Sequence, residues 1–138
     1  MRLTPTLILI PFLALAGCGP GGGGSATGKA ETGPYAGLET AIKGWRADIV
    51  KAEPACQAKG GKGCEGFEVA CKGERPLTPE ETAKGVTAKV AVAMTWSGWD
   101  AARAEHQPES GAAEFAKVGQ AWTRTDAKPV NLSTCADL

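Results

Sequence analysis

Apolar side chains recur at helical spacing in one stretch of the chain and alternate at strand spacing in several others. Tyr35, Leu38, Ile42, Trp45, Ile49 and Ala52 follow one another at intervals of three and four residues, which lines them along a single helical face. The run predicts an amphipathic helix over Pro34 to Glu53, with Pro34 in the first turn and Pro54 as the stop. Glu39 and Lys43 stand four apart on its polar side and suit an ion pair. Gly37 and Gly44 each weaken such a helix by about 1 kcal/mol relative to alanine, so it needs a surface to pack on.

Strand-like alternation follows. Phe67 and Val69 flank a polar Glu68, and Val86, Ala88, Val90, Val92, Met94 and Trp96 then alternate with Thr87, Lys89, Ala91, Ala93 and Thr95, the strongest strand signal in the chain. Ser97-Gly98 reads as its end, and Trp99 to Gly111 as a loop with a helical turn at Asp100 to Glu105. Glu114 to Val118 and Ala121 to Arg124 around Gly119-Gln120 read as a hairpin, and Lys128 to Ser133 as a last strand. Thr78-Pro79-Glu80-Glu81 has the spacing of a capping box and predicts a short helix ending at Gly85. The expected fold is α+β: one N-terminal amphipathic helix packed on a small antiparallel sheet of about four strands.

The start of the chain has a different character. Arg2 precedes the ten-residue apolar run Leu7 to Ala16, too short to span a bilayer, which takes about 20 residues, and interrupted by Pro11. The run ends in Leu15-Ala16-Gly17-Cys18, which resembles the lipobox of bacterial lipoproteins. That resemblance implies a signal peptide over residues 1–17, cleavage before Cys18 and a diacylglycerol on the Cys18 thiol. It also implies a bacterial cell-envelope location with the lipid bilayer as a partner. Gly19 in place of aspartate points to the outer membrane, facing the periplasm, over the inner membrane. Residues 19 to 33 hold seven glycines and no large apolar group, so residues 18–33 form a lipidated cysteine and flexible tether with a mean reach of about 20 Å. The single α+β domain is then 34–138.

Composition sharpens this picture. The 15 basic and 15 acidic side chains cancel, which excludes an electrostatic nucleic-acid binder. In the domain, alanines nearly equal in number all the large apolar residues together, so the core is thin and covalent staples are expected. Once Cys18 is lipidated, Cys56, Cys64, Cys71 and Cys135 remain, an even number in an exported chain and the mark of two disulfides. The spacing favours Cys56 with Cys64 and Cys71 with Cys135, with the other two pairings open. The intervals do not match zinc knuckles, and no metal or other cofactor is expected.

Candidate chemistry is sparse. Gly23 to Ala30 has the glycine and lysine spacing of a phosphate-binding loop, but Ala30 stands where magnesium needs a hydroxyl and no strand precedes it, so no nucleotide is expected. His106 is the sole histidine, in a polar stretch, and Ser97 and Ser110 lie outside any nucleophile elbow. Glu80 and Glu81 are accounted for by the capping box. Trp96 and Trp122 suit core packing on strands that neighbour one another, whereas Trp99, after the predicted break, suits a partner contact. The helix-then-meander order with Phe115, Lys117, Gly119 and Trp122 resembles the cystatin-like or NTF2-like group of α+β folds, which hosts enzymes, inhibitors and binding proteins alike. The expectation is a non-enzymatic, membrane-anchored module that binds an envelope protein or cell-wall component. The alternative is an inhibitor of an external protease or lysozyme, and the remaining one a small enzyme with a carboxylate-lined pocket.

Overall fold

The computed structural model describes residues 32–138. The expected signal peptide, Cys18 and all but the last residues of the expected tether lie outside that range. The chain is α+β, with helices α1 (Leu38–Ala52), α2 (Pro54–Gly61) and α3 (Pro79–Ala83) and strands β1 (Cys64–Glu74), β2 (Val86–Asp100), β3 (Glu105–Val118) and β4 (Ala121–Asp126). The strands form one antiparallel sheet in the order β1-β2-β3-β4. Among the described residues no helix is long and apolar enough to cross a membrane.

Helix α1 starts later than the pattern of apolar residues suggests. Gly37 takes φ 86°, a left-handed conformation that glycine alone adopts freely, and residues 33–37 coil through a turn closed by Ala36 N–H to Gly33 C=O. Pro34 therefore lies ahead of the helix and not in its first turn. Glu39 reaches Lys72 on β1. At the other end Pro54 does not stop helical structure. Glu53 is extended, and Pro54 opens α2, where its missing N–H costs nothing.

Leu38, Ile42, Trp45 and Ile49 of α1 share one buried cluster with Val90, Val92, Met94 and Trp96 of β2, Ala113 and Phe115 of β3, and Cys56. The Trp45 ring meets Phe115 edge-on at 5.9 Å, and Phe67 stacks on Trp96 at 5.5 Å. The alternate residues of β2 face the other way, where Ala91 and Ala93 pack with Val130 and Cys135. Their small side chains let the C-terminal segment lie close on the sheet.

Three stretches depart from the sequence expectation. First, β2 runs through Ser97-Gly98 to Asp100, because that glycine marks a close approach and not a break. A Cβ on Gly98 would stand 3.0 Å from the Ala55 Cβ of α2 and 3.1 Å from the Glu109 Cγ. Second, the supposed loop is the hairpin β2–β3, in register from Asp100 opposite Glu105 upward. The Asp100 carboxylate accepts from the N–H groups of Ala102 and Arg103 at 2.9 and 3.2 Å, which turns the chain without a helix. Third, Lys128 to Ser133 forms no strand. Val130 bridges Asp137 in isolation, and the Asn131 carboxamide accepts from Ser133 and Thr134 N–H, so this segment is a small clip. Trp96 and Trp122 are likewise not neighbours, since β3 lies between their strands.

Two disulfides staple the fold: Cys56 to Cys64, joining α2 to the start of β1, and Cys71 to Cys135, joining β1 to the clip. The Thr78 capping box is formed in full, with Glu81 N–H donating to Thr78 Oγ1 and Thr78 N–H donating to the Glu81 carboxylate.

Candidate binding groove

The sheet leaves part of one long strand unpaired. β2 accompanies β3 along its whole length, but β4 covers it only from Ala113 to Val118. The Ala127 N–H then donates to the Ala112 C=O, and beyond that point no strand among the described residues accompanies Glu105 to Gly111 on that side. Backbone groups along an antiparallel strand alternate in direction. Ala112 therefore fixes the rest: Ser110, Pro108 and His106 turn their peptide groups outward, away from β2. Pro108 has no N–H to offer there, which is where an edge strand tolerates proline.

A groove of about 700 Å³ opens against this edge, lined by Glu109, Ser110, Gly111 and Ala112. One wall is the C-terminal half of α1, with Trp45, Asp48, Ile49 and Ala52, and the Trp96 ring completes it. The other wall is the clip, with Pro129, Val130 and Leu132. Gly111 keeps the floor low, since a Cβ there would come within 3.3 Å of the Trp96 ring. Trp96 is 8% exposed, and its Nε1 has no acceptor among the described residues. The rim is acidic: Asp48, Glu53, Glu109 and Asp126 against Arg124, whose guanidinium lies 3.3 Å from Asp48.

The residues singled out from the sequence fall elsewhere or serve the frame. Trp99 is three residues beyond Trp96 on β2 and so faces the opposite side of the sheet. Its ring packs edge-on against His106 at 5.2 Å, with Lys59 Nζ 3.3 Å above it. His106 lies on β3, half-buried, with Nδ1 3.5 Å from the Glu65 carboxylate and Nε2 without a partner among the described residues. Glu80 pairs with Lys84, and Glu81 with Lys89 at 2.7 Å. The Lys89 ammonium first, and then the Thr78 N–H, hold the Glu81 carboxyl down at about 2. Trp122 donates from Nε1 to the Ala36 C=O at 2.9 Å, and buried Lys117 donates to the Pro34 C=O at 3.0 Å, so both fix the entry to α1. Ser97 is on β2, and Ser110 alone of the hydroxyls considered lines the groove. Among the described residues no group of three or more His, Cys, Asp or Glu is arranged to hold a metal ion.

Sequence reasoning missed the groove because its wall residues come from four separate elements. One local signal pointed to it. The stretch from Glu105 to Ser110 lacks any apolar alternation, as expected of an edge wet on both faces. In comparisons with protein-family models, curated proteins and solved structures, nothing matches this chain.

Proposed function

We propose that this chain is a lipid-anchored, non-enzymatic module of a bacterial cell envelope that binds a macromolecular partner in the groove beside β3. In this reading Cys18 carries the acyl chains, the glycine-rich segment is a tether, and the domain works in the periplasm from the outer membrane. Helix α1 laid against the sheet serves as a fixed wall for the partner. The carrying observation is the groove: an apolar wall of Trp45, Ile49 and Trp96, a charged rim and an open strand edge, the anatomy of a polypeptide-binding site. Two disulfides suit an oxidising compartment and support export.

The anchor and the groove are tested separately. Cys18→Ser is expected to move the protein from the membrane fraction to the soluble one. A photoreactive side chain at Leu132, which lines the groove and is 42% exposed, is expected to give discrete adducts in intact cells that the same group at Lys84, just after α3, does not. Membrane retention of Cys18→Ser overturns the anchor, and equal adducts at both positions overturn the groove.

A further inference from the structure

Resting on the groove as the binding site, we infer that its occupant is an extended, lysine- or arginine-bearing polypeptide segment that joins the sheet as a strand along the open edge of β3. Three observations converge. The edge is real hydrogen-bonding capacity: Ser110 presents both N–H and C=O outward, Pro108 its C=O, and His106 both groups again. Ser110 and Pro108 are exposed and His106 half-buried, so these groups are open to a partner, and strand addition is the way an extended chain supplies one. The groove meets that edge at Glu109 to Ala112 and offers room for side chains on both sides of it, as an added strand needs, because its alternate residues point to opposite faces. One set would meet Trp45, Ile49 and Trp96 on the α1 side, and the other Val130 and Leu132 of the clip.

Charge selects among extended occupants. Four carboxylates line the groove against one guanidinium, and that guanidinium is already beside Asp48. Each exposed ion pair is worth a factor of only a few in affinity, but several in one groove act together, and a like-charged strand is repelled by the same groups. A second copy of this chain fits poorly by the same reasoning. In a two-fold pairing of β3 with β3, the acidic rim of one copy faces the acidic rim of the other.

The test uses the full chain purified in detergent and a fluorescent short peptide of alternating lysine and valine, with anisotropy as the readout. Binding is expected, weakening as salt is raised, and about tenfold tighter than for the peptide of alternating glutamate and valine. Methylating alternate backbone nitrogens of the lysine peptide should reduce its affinity by about tenfold or more, since it removes the ladder and keeps the charge. Ser110→Pro should do the same from the protein side, because it deletes an outward N–H on an edge where proline is sterically acceptable. Should that variant fail to fold, the combined Glu53→Lys, Glu109→Lys and Asp126→Lys variant carries the test, with preference expected to reverse toward the glutamate peptide. Binding that ignores both N-methylation and Ser110→Pro overturns strand addition and leaves the groove itself standing. Preference for the glutamate peptide by the unaltered chain overturns the charge assignment. No peptide binding, or self-association abolished by Ser110→Pro, overturns the inference outright, while adducts at Leu132 in cells report on the groove independently.

Discussion

Breaking the two disulfides one at a time should cost unequal amounts, and the order follows from how much chain each one closes. Cys71 and Cys135 are 64 residues apart, Cys56 and Cys64 only 8. Restricting the unfolded chain by those loops stabilises the fold by about 4.3 and about 2.5 kcal/mol respectively. Burial does not blur the comparison, because each bond joins one fully buried sulfur, at Cys135 or Cys56, to a half-buried one. The paired variants Cys71→Ala with Cys135→Ala and Cys56→Ala with Cys64→Ala therefore leave similar voids. For so small a domain, with a urea slope on the order of 1 kcal/mol per molar, the two midpoints should lie about 2 M apart. Equilibrium urea unfolding followed by tryptophan fluorescence reads this directly. A midpoint lowered as much by losing Cys56–Cys64 as by losing Cys71–Cys135 would refute loop length as the cause. The longer bridge has a second consequence. Without it the clip is held by the Val130–Asp137 bridge and the Arg75–Asp137 ion pair, whose aspartate is 84% exposed, so the groove loses a firm wall.

Two smaller perturbations probe the frame. The Glu81 carboxyl, held at about 2 by Lys89 and Thr78 against an ordinary value of 4.5, contributes stability that is complete above pH 4.5 and is lost as pH falls toward 2. The unaltered chain should thus weaken more steeply than Glu81→Gln across that window in urea midpoints taken at successive pH values, and parallel curves would exclude this role. Trp122→Phe keeps most of the ring against Gly37 but removes the bond to the Ala36 C=O, and should cost about 1 kcal/mol in the same assay; an unchanged midpoint would show that the bond does not hold the entry to α1.

What the sequence revealed was written by faces that differ. The α1 stripe is periodic because one face is packed and the other wet, and the Val86 to Trp96 alternation because the face toward α1 takes large side chains while the face under the clip takes Ala91 and Ala93. Cysteine parity likewise disclosed two disulfides, and the favoured pairing is the one formed, although what sets it is the packing of α2 and the clip against β1. The failures share a cause. Pro54–Gly61 has no apolar period, and Ala58, Lys59 and Gly60 leave helical geometry within it, so α2 left no pattern to read. Gly98 looked like a break because its reason, the nearness of Ala55, sits more than forty residues away in the chain. The first half of β3 is polar on both faces and so carried no strand signal. Trp99 drew attention as the aromatic after an apparent break, yet the rings that line the groove are Trp45 and Trp96, which the helical and strand periods had assigned to the core.

The way the sheet treats its edges ties these observations to one site. An unpaired strand edge invites pairing with any other chain, and folded proteins blunt such edges by bulges, charge, shortness or proline. β1 is interrupted by register shifts between Glu65 and Glu68 and between Val69 and Cys71, with Gly66 at φ 67° and Glu65, Glu68, Lys72 and Glu74 along it. β4 is six residues long, and Trp122 and Arg124 on it are tied to Ala36 and Asp48. The open part of β3 is protected differently. It keeps regular register with β2 over its whole length and is interrupted by a single device, Pro108. A proline midway along the edge denies a continuous ladder to a long flat strand, which limits indiscriminate stacking, while Ser110 beyond it still offers both backbone groups. That free pair belongs to a residue that lines the groove, together with the apolar wall and the acidic rim. An edge left simply unguarded would not be expected to coincide with a groove in which side chains of an added strand have somewhere to go. The coincidence is what a site for capturing an extended chain requires.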